Sequence, residues 1–217
     1  MFELTLEEGA WLVRLARQSI TEYLESGRLT PVPSDTETRL LQRCGTFVTL
    51  NMIRGDREEL RGCIGYPTPD LPLTEAVIDA AVSAATRDPR FPPLEKGELN
   101  RIVVEVSILT PPSIIKVRNP QEYPKELQIG RDGLIVEQGY FKGLLLPQVP
   151  VEWGWDCEEF LGHCCMKAGL PPEAWILPDT RIYKFHCIIA KELTPNGEII
   201  LTTPAEMLEK QKQGSRR

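Results

Sequence analysis

The stretch at residues 60–65 combines groups that can do chemistry with groups that clear space for it. It reads Leu60-Arg61-Gly62-Cys63-Ile64-Gly65. In a β-strand, Arg61 and Cys63 share one face, about 7 Å apart at their Cα atoms. Leu60 and Ile64 then face the other way, toward a core. A guanidinium beside a thiol favours the nucleophilic thiolate. The two glycines let another backbone or a ligand approach closely.

The same stretch has a purely structural interpretation. Cys63 is then a buried packing residue in a strand that bends at each glycine, because buried cysteine is most often inert. The residues alone leave both interpretations open.

Two further segments carry more polar groups than folding requires. In the first, Arg87 and Arg90 flank Asp88. Two arginines around one aspartate can hold an anion, or can brace the end of a helix. In the second, Gln148 and Glu152 lie among the prolines and tryptophans of residues 146–155. A stiff loop with aromatic walls suits a binding site, and it suits packing over the core equally well.

Other catalytic and metal patterns are weak. The six cysteines include no Cys-x-x-Cys pair, and the two histidines are His163 and His186. We therefore expect no metal site, no cofactor and no disulfide framework. A Cys-His pair would require one histidine to meet Cys63 in space, and Glu152 is an alternative base.

Composition restricts the class of protein. The chain has 217 residues, a net charge of −6 and a pI of about 5.2. This charge makes nucleic-acid binding unlikely, and no apolar run is long enough to span a membrane. The N-terminal residues do not resemble a signal peptide, so we expect a cytoplasmic location.

The hydrophobic pattern predicts an α+β fold with antiparallel sheets flanked by helices. Thr5 and Glu8 form a capping box for a first helix that ends at Gly27. A hairpin over 44–66, with its turn at 54–57, precedes a helix over 73–86 and a central strand over 102–109. Short strands at 127–129, 134–137 and 141–146 form a meander. A helix capped by Asp156 and a strand over 181–190 follow.

The element order repeats, as a hairpin or meander followed by a helix and a strand. We therefore predict one domain over 1–217 with two lobes, 1–110 and 111–217, and a cleft between them.

Several segments resemble the AMMECR family, and the resemblance covers roughly residues 6–190. Its signature is the stretch at residues 60–65. The other matching segments are Gly45-Thr46-Phe47-Val48, Asp88-Pro89-Arg90-Phe91, Glu105-Val106-Ser107-Ile108-Leu109, Ile129-Gly130-Arg131-Asp132-Gly133-Leu134, Leu144-Leu145-Leu146-Pro147-Gln148-Val149 and Lys167-Ala168-Gly169-Leu170.

The resemblance implies two α+β lobes with a cleft, the larger lobe being built from both chain ends. No biochemical activity is established for the family. Prokaryotic members are often encoded with a Memo-like protein and a radical S-adenosylmethionine protein, which implies these two as partners in a modification system.

The leading hypothesis is an enzyme with a cleft site around Arg61 and Cys63. Cys63 is the candidate nucleophile, and Arg61 stabilises its thiolate or an anionic substrate. The candidate substrate-binding residues are Gly62, Gly65, Arg87, Arg90, Gln148 and Glu152. The alternative is a non-enzymatic adaptor whose motifs form a docking surface for a protein. The oligomeric state is left open.

Overall fold

The computed structural model describes residues 4–55 and 57–206 and confirms the predicted α+β class. The helices are α1 (Leu6–Ser26), α2 (Leu73–Thr86), α3 (Gln148–Trp153) and α4 (Cys157–Lys167). The strands are β1 (Gly45–Arg54), β2 (Arg57–Tyr66), β3 (Ile102–Leu109), β4 (Ser113–Ile114), β5 (Asp132–Gln138), β6 (Phe141–Leu145), β7 (Arg181–Glu192) and β8 (Ile199–Thr202). None of the described helices combines the length and apolar character needed to cross a membrane.

The chain divides into two compact units. The first unit runs to Pro111 and takes in Ile188–Thr202, whereas the second comprises Pro112–Cys187 and continues from Thr203. In the first unit the strand order is β2-β1-β3-β7, with β8 also paired to β7. In the second it is β7-β5-β6, with β4 also paired to β7. The predicted lobes 1–110 and 111–217 and their cleft stay predictions.

Local sequence signals account for the helix ends. Thr5 Oγ1 accepts a hydrogen bond from Glu8 N at 3.2 Å, and the Glu8 carboxylate accepts one from Thr5 N at 2.7 Å. Gly27 ends α1 with a φ of 71°, a value that glycine adopts without strain. Asp156 caps α4 through an equivalent capping box. These predicted boundaries are confirmed.

The core of the first unit lies between helices α1 and α2 and one face of the sheet. Val48 and Leu50 of β1 lie opposite Val106 and Val104 of β3, and all four side chains are fully buried. Each such side chain contributes about 1.5–3 kcal/mol by burial. Because strand side chains alternate, Thr49 lies on the opposite face, which we call the outer face.

A buried ion pair ties β7 to α1 in the first unit. The Arg17 guanidinium contacts both Glu192 carboxylate oxygens, at 2.6 and 2.5 Å, and also donates to the carbonyls of Leu99 and Ile102. Glu192 accepts a further hydrogen bond from Val104 N at 3.0 Å. Every polar group of this pair therefore has a partner that holds β3 and β7 in place.

Two sequence predictions in the second unit are wrong. Residues 127–129 form no strand, and a turn over 129–131 follows instead. The Asp132 carboxylate accepts a hydrogen bond from Gln128 N at 2.8 Å, and Gly130 has a φ of 82°. Residues 148–153 form α3 within a segment predicted as a loop. Pro150 is tolerated there because the first turn of a helix needs no backbone donors. The predicted hairpin turn includes Asp56, which lies outside the described residues.

Candidate functional site

A β-bulge at Arg61 determines how the signature is presented. Leu50 lies opposite Gly62, but Asn51 lies opposite Leu60, so Arg61 has no counterpart on β1. The extra residue interrupts the alternation of faces. Leu60 is 42% exposed, and the prediction that it faces the core is wrong. Ile64, beyond the bulge, packs against the core as predicted.

Arg61 braces this bulge against the segment that follows α2. Its Nε and Nη2 lie 2.8 and 2.9 Å from the two Glu98 carboxylate oxygens, and Nη1 donates to Pro92 O at 2.9 Å. Hydrogen bonding from Arg61 is the main reason that the pKa of Glu98 is lowered. These contacts direct the Arg61 guanidinium to Glu98. That Arg61 stabilises the thiolate or an anionic substrate stays a prediction.

The two signature glycines are in close contact with the protein's own backbone. A Cβ on Gly62 would lie 2.2 Å from Ala84 O in α2, and one on Gly65 would lie 2.2 Å from Thr46 O in β1. Of the two alternatives that the sequence allowed for these glycines, the structure therefore shows the approach of another backbone. Their predicted contact with a substrate stays a prediction.

The backbone of Cys63 is clamped from the segment after α2. Cys63 N donates to Asp88 Oδ2 at 2.8 Å, and Arg90 Nη2 donates to Cys63 O at 3.3 Å. Because β2 is an edge strand, this peptide group would otherwise need water or another strand. Asp88 and Arg90 supply both hydrogen bonds and fix the position of Cys63.

The Cys63 thiol is half-buried on the outer face and has two polar neighbours. Thr49, directly opposite on β1, donates from Oγ1 to Sγ at 3.3 Å. The pKa of Arg90 is raised mainly by its hydrogen bond to Asp88, with smaller contributions from the Cys63 side chain. Arg90 also donates to the Cys63 carbonyl, whereas Arg61 is bonded to Glu98, so Arg90 rather than Arg61 is the arginine that contacts Cys63.

The other cysteines have different surroundings. Burial raises the pKa of Cys44 and Cys165 to about 11 and that of Cys164 to about 12. Burial also raises the pKa of Cys157. A raised pKa keeps a thiol protonated and poorly nucleophilic at neutral pH. Cys187 is buried, whereas Cys63 is partly exposed and its sulfur accepts a hydrogen bond from Thr49, so Cys63 is the best placed of the six cysteines for chemistry.

Asp88 holds this arrangement together. It is only 4% exposed, and its carboxylate accepts hydrogen bonds from Arg90 Nε and Nη2 and from the backbone N–H groups of Cys63 and Arg90. The Arg90 side chain is the largest cause that lowers the pKa of Asp88 far below its usual range, and burial opposes it. The sequence allowed the arginines of this segment to brace Asp88 rather than to bind an anion. The structure contains such a brace between Arg90 and Asp88, and Asp88 also binds the backbone N–H of Cys63.

Replacing Asp88 by asparagine should lower the free energy of unfolding by about 2 kcal/mol at pH 7, because charged hydrogen bonds are lost. A carboxyl whose folded pKa is lowered stabilises the fold above its unfolded pKa, near about 4, and loses that effect as the pH falls toward the folded pKa. The difference between wild type and Asp88→Asn should therefore shrink from about pH 5 to about pH 3. Urea unfolding at several pH values, with the exposed Asp35→Asn as control, measures it. A difference that does not change with pH would contradict this account.

Sequence reasoning missed Glu105 as a site residue. Thr49 lies opposite Cys63 on one side and opposite Glu105 on the other, so the three residues form one row across the outer face. Burial raises the pKa of Glu105, the charge of Lys191 opposes this, and Glu58 adds to it. A single glutamate inside the apolar run of residues 102–109 was the signal that could have identified it.

The remaining predicted residues lie elsewhere. Arg87 follows α2, exposed, with Nη1 3.9 Å from Asp79 Oδ1. Gln148 and Glu152 belong to α3 in the second unit. Gln148 Oε1 is buried and has no hydrogen-bond partner among the residues that the structure describes, whereas Glu152 is exposed. That these residues join Cys63 in one site stays a prediction.

The two histidines are engaged within the second unit. The His163 ring stacks on Trp155 with centroids 3.7 Å apart, and His186 Nε2 lies 3.0 Å from Asp132 Oδ1. Over residues 4–55 and 57–206, no group of three or more His, Cys, Asp or Glu side chains is placed to hold a metal ion.

Together, the fold and the site define an α+β protein whose edge hairpin carries a clamped, half-exposed cysteine. Comparison with known families identifies the group more closely. The AMMECR1 family model matches residues 13–190, and the chain therefore belongs to the AMMECR1 family. The resemblance seen in the sequence is confirmed.

Archaeal relatives match over almost their full length. A protein of Thermococcus gammatolerans is 53% identical over 200 residues, covering 92% of this chain and 97% of the relative. Protein MJ0810 of Methanocaldococcus jannaschii is 54% identical over 197 residues, covering 91% and 96%. A crystal structure of the uncharacterized protein PH0010 from Pyrococcus horikoshii matches with a TM-score of 0.76 and 52% identity, covering 92% of this chain and 98% of that one.

Proposed function

We propose that this protein is an enzyme in which Cys63 is the nucleophile and Arg90 binds negative charge beside it. The observation that carries the proposal is the surroundings of the sulfur. A hydroxyl donor from Thr49 and the Arg90 guanidinium both lie at the Cys63 side chain, and Asp88 fixes the backbone. Such donors stabilise negative charge on the sulfur and on an attached group.

Arg90 is suited to bind an anion as well as to support the thiol. Its Nε and Nη2 are occupied by Asp88 and by Cys63 O. Within the described residues, Nη1 has no recorded hydrogen bond, and the side chain is about half exposed. Because a guanidinium binds a carboxylate or phosphate through its N–H groups, Nη1 is available for such a group of a substrate.

The test is the alkylation of Cys63 by iodoacetamide at pH 7, followed by peptide mass spectrometry. In the folded protein Cys63 should react at least about 10-fold faster than in the chain unfolded by guanidinium, because the donors around the sulfur are lost on unfolding. The Cys63→Ser variant identifies the modified site. If folded Cys63 reacts no faster than unfolded Cys63, the nucleophile role is excluded.

A docking module is the second candidate, because the structure accounts for the signature without a reactive thiol. Arg61, Gly62 and Gly65 are all engaged in holding β2 against its neighbours, so the signature serves the fold even without a reactive thiol. In that case Cys63→Ser folds and retains full cellular function. In the enzyme, the same variant folds but loses that function.

The resemblance to the AMMECR family supports a role with Memo-like and radical S-adenosylmethionine proteins in the cytoplasm. Affinity capture with the wild-type chain, and with Cys63→Ser as the matched bait, tests the association. If the wild-type chain captures neither a Memo-like protein nor a radical S-adenosylmethionine protein, the association is contradicted.

A further inference from the structure

Glu105 is the one charged residue of β3, whose other residues are Ser107 and aliphatic side chains. Its strand, β3, has a neighbour on each side, and the residue is 9% exposed. In the described chain the Glu105 carboxyl has no recorded hydrogen bond and no ion pair. Removing most of a carboxyl from water without a hydrogen bond costs free energy, which the attraction of Lys191 offsets in part. A carboxyl of this kind beside a nucleophile is a candidate for function.

The position of Glu105 relative to the thiol follows from strand register. Thr49 is opposite both Cys63 and Glu105, and directly opposite side chains have Cβ atoms about 5 Å apart on one face. On the far side of Thr49 lie Cys63 and Arg90. The other charged groups that act on Glu105 are Lys191 and Glu58, whose Nζ and Oε2 atoms are 2.6 Å apart.

We propose that Glu105 is the acid–base residue of the Cys63 site and that the substrate is an oxygen ester of a carboxylic acid. This inference rests on the proposed function, in which Cys63 is the nucleophile. A thiolate attacks an acyl carbon readily, and an alkoxide leaving group requires a proton donor, whereas a thiolate can leave without one. The Arg90 guanidinium, which donates from Nη2 to the Cys63 carbonyl at 3.3 Å, provides a donor for the oxyanion that forms.

The reaction balances with these groups and water. The Cys63 thiolate attacks the carbonyl carbon, a sulfur–carbon bond forms, and the bond to the leaving group breaks as that group takes the proton from Glu105. Water then attacks the thioester carbon and gives a proton to the Glu105 carboxylate. The sulfur–carbon bond breaks, which releases the acid and restores the thiolate and protonated Glu105. Burial, which raises the pKa of Glu105, supports the protonated starting state.

Two model esters separate this role from a structural one. Phenyl acetate has a leaving group that needs a proton, whereas p-nitrophenyl acetate has one that departs as an anion. Glu105→Gln should slow acylation of Cys63 by phenyl acetate about 100-fold and acylation by p-nitrophenyl acetate by less than about 3-fold. Glu105→Asp, which keeps the acid, should recover most of the phenyl acetate rate. Circular dichroism confirms that each variant is folded.

The outcomes distinguish this inference from the proposed function. If Glu105→Gln slows both esters equally, or neither, the acid–base role is overturned while Cys63 remains the nucleophile. If neither ester acylates wild-type Cys63 faster than the unfolded chain, the proposed function fails together with this inference. If Glu105→Gln does not fold, Glu105→Ala takes its place: a loss confined to phenyl acetate supports the role, and an equal loss for both esters, or no loss, overturns it.

Discussion

Replacing Gly62 by alanine is expected to lower the free energy of unfolding by about 3 kcal/mol, or to prevent folding. The added Cβ would lie 2.2 Å from Ala84 O. Neither Ala84 O nor the Gly62 Cα that carries the Cβ can move alone, because both belong to backbone that neighbouring elements hold in place. The hairpin would have to move away from α2 to relieve the contact. Urea denaturation followed by circular dichroism measures the effect.

Gly97 provides the matched control. It lies between α2 and β3 in the same unit, and a Cβ there would meet no atom within 4 Å. Gly97→Ala should therefore change the free energy of unfolding by less than about 1 kcal/mol. If Gly62→Ala were as stable as Gly97→Ala, the close contact of β2 with α2 would be wrong.

Replacing Glu192 by glutamine should lower the free energy of unfolding by about 3–5 kcal/mol. The Glu192 side chain is 2% exposed. Glutamine in its place is neutral, so the buried Arg17 guanidinium would lose its counter-ion. Three elements lose a common anchor, because the same carboxylate binds Arg17 and Val104 N. Thermal and urea unfolding at pH 7 report the loss.

Two further variants of this protein serve as controls for the Glu192→Gln prediction. In the exposed pair of Arg54 and Glu59, Glu59→Gln should cost less than about 0.5 kcal/mol. The double variant Arg17→Met with Glu192→Leu leaves no buried charge and should recover part of the stability lost in Glu192→Gln. Recovery should be incomplete, because Val104 N and the carbonyls of Leu99 and Ile102 lose their partners. A loss of under about 1 kcal/mol in Glu192→Gln would show that the pair is not truly desolvated.

Much of the fold could be predicted because its signals are local. The capping boxes at Thr5 and Asp156, and the apolar run of β3, depend on residues close together in the chain. The bulge at Arg61 could not be predicted in this way, because it depends on which β1 residue pairs with which β2 residue. That one register shift exposes Leu60, which sequence alternation had placed inside.

The site was predicted in part for the same reason. Cys63 and Arg90 were both named, but their proximity results from a hydrogen bond between residues 25 positions apart, Cys63 N to Asp88. The signature suggested Arg61 as the partner of the thiol because the two are close in sequence. Glu105 was missed because only the sheet brings it into line with Thr49 and Cys63.

The most direct test compares Cys63 alkylation rates in wild type, Arg90→Gln and Arg87→Gln. Both substitutions remove one exposed guanidinium from the same segment, but only Arg90 lies at the Cys63 side chain. We predict that Arg90→Gln slows iodoacetamide modification of folded Cys63 about 10-fold, that Arg90→Lys restores much of it, and that Arg87→Gln changes it less than about 2-fold. Equal rates in the wild type, Arg90→Gln and the unfolded chain would contradict the claim that this site activates Cys63.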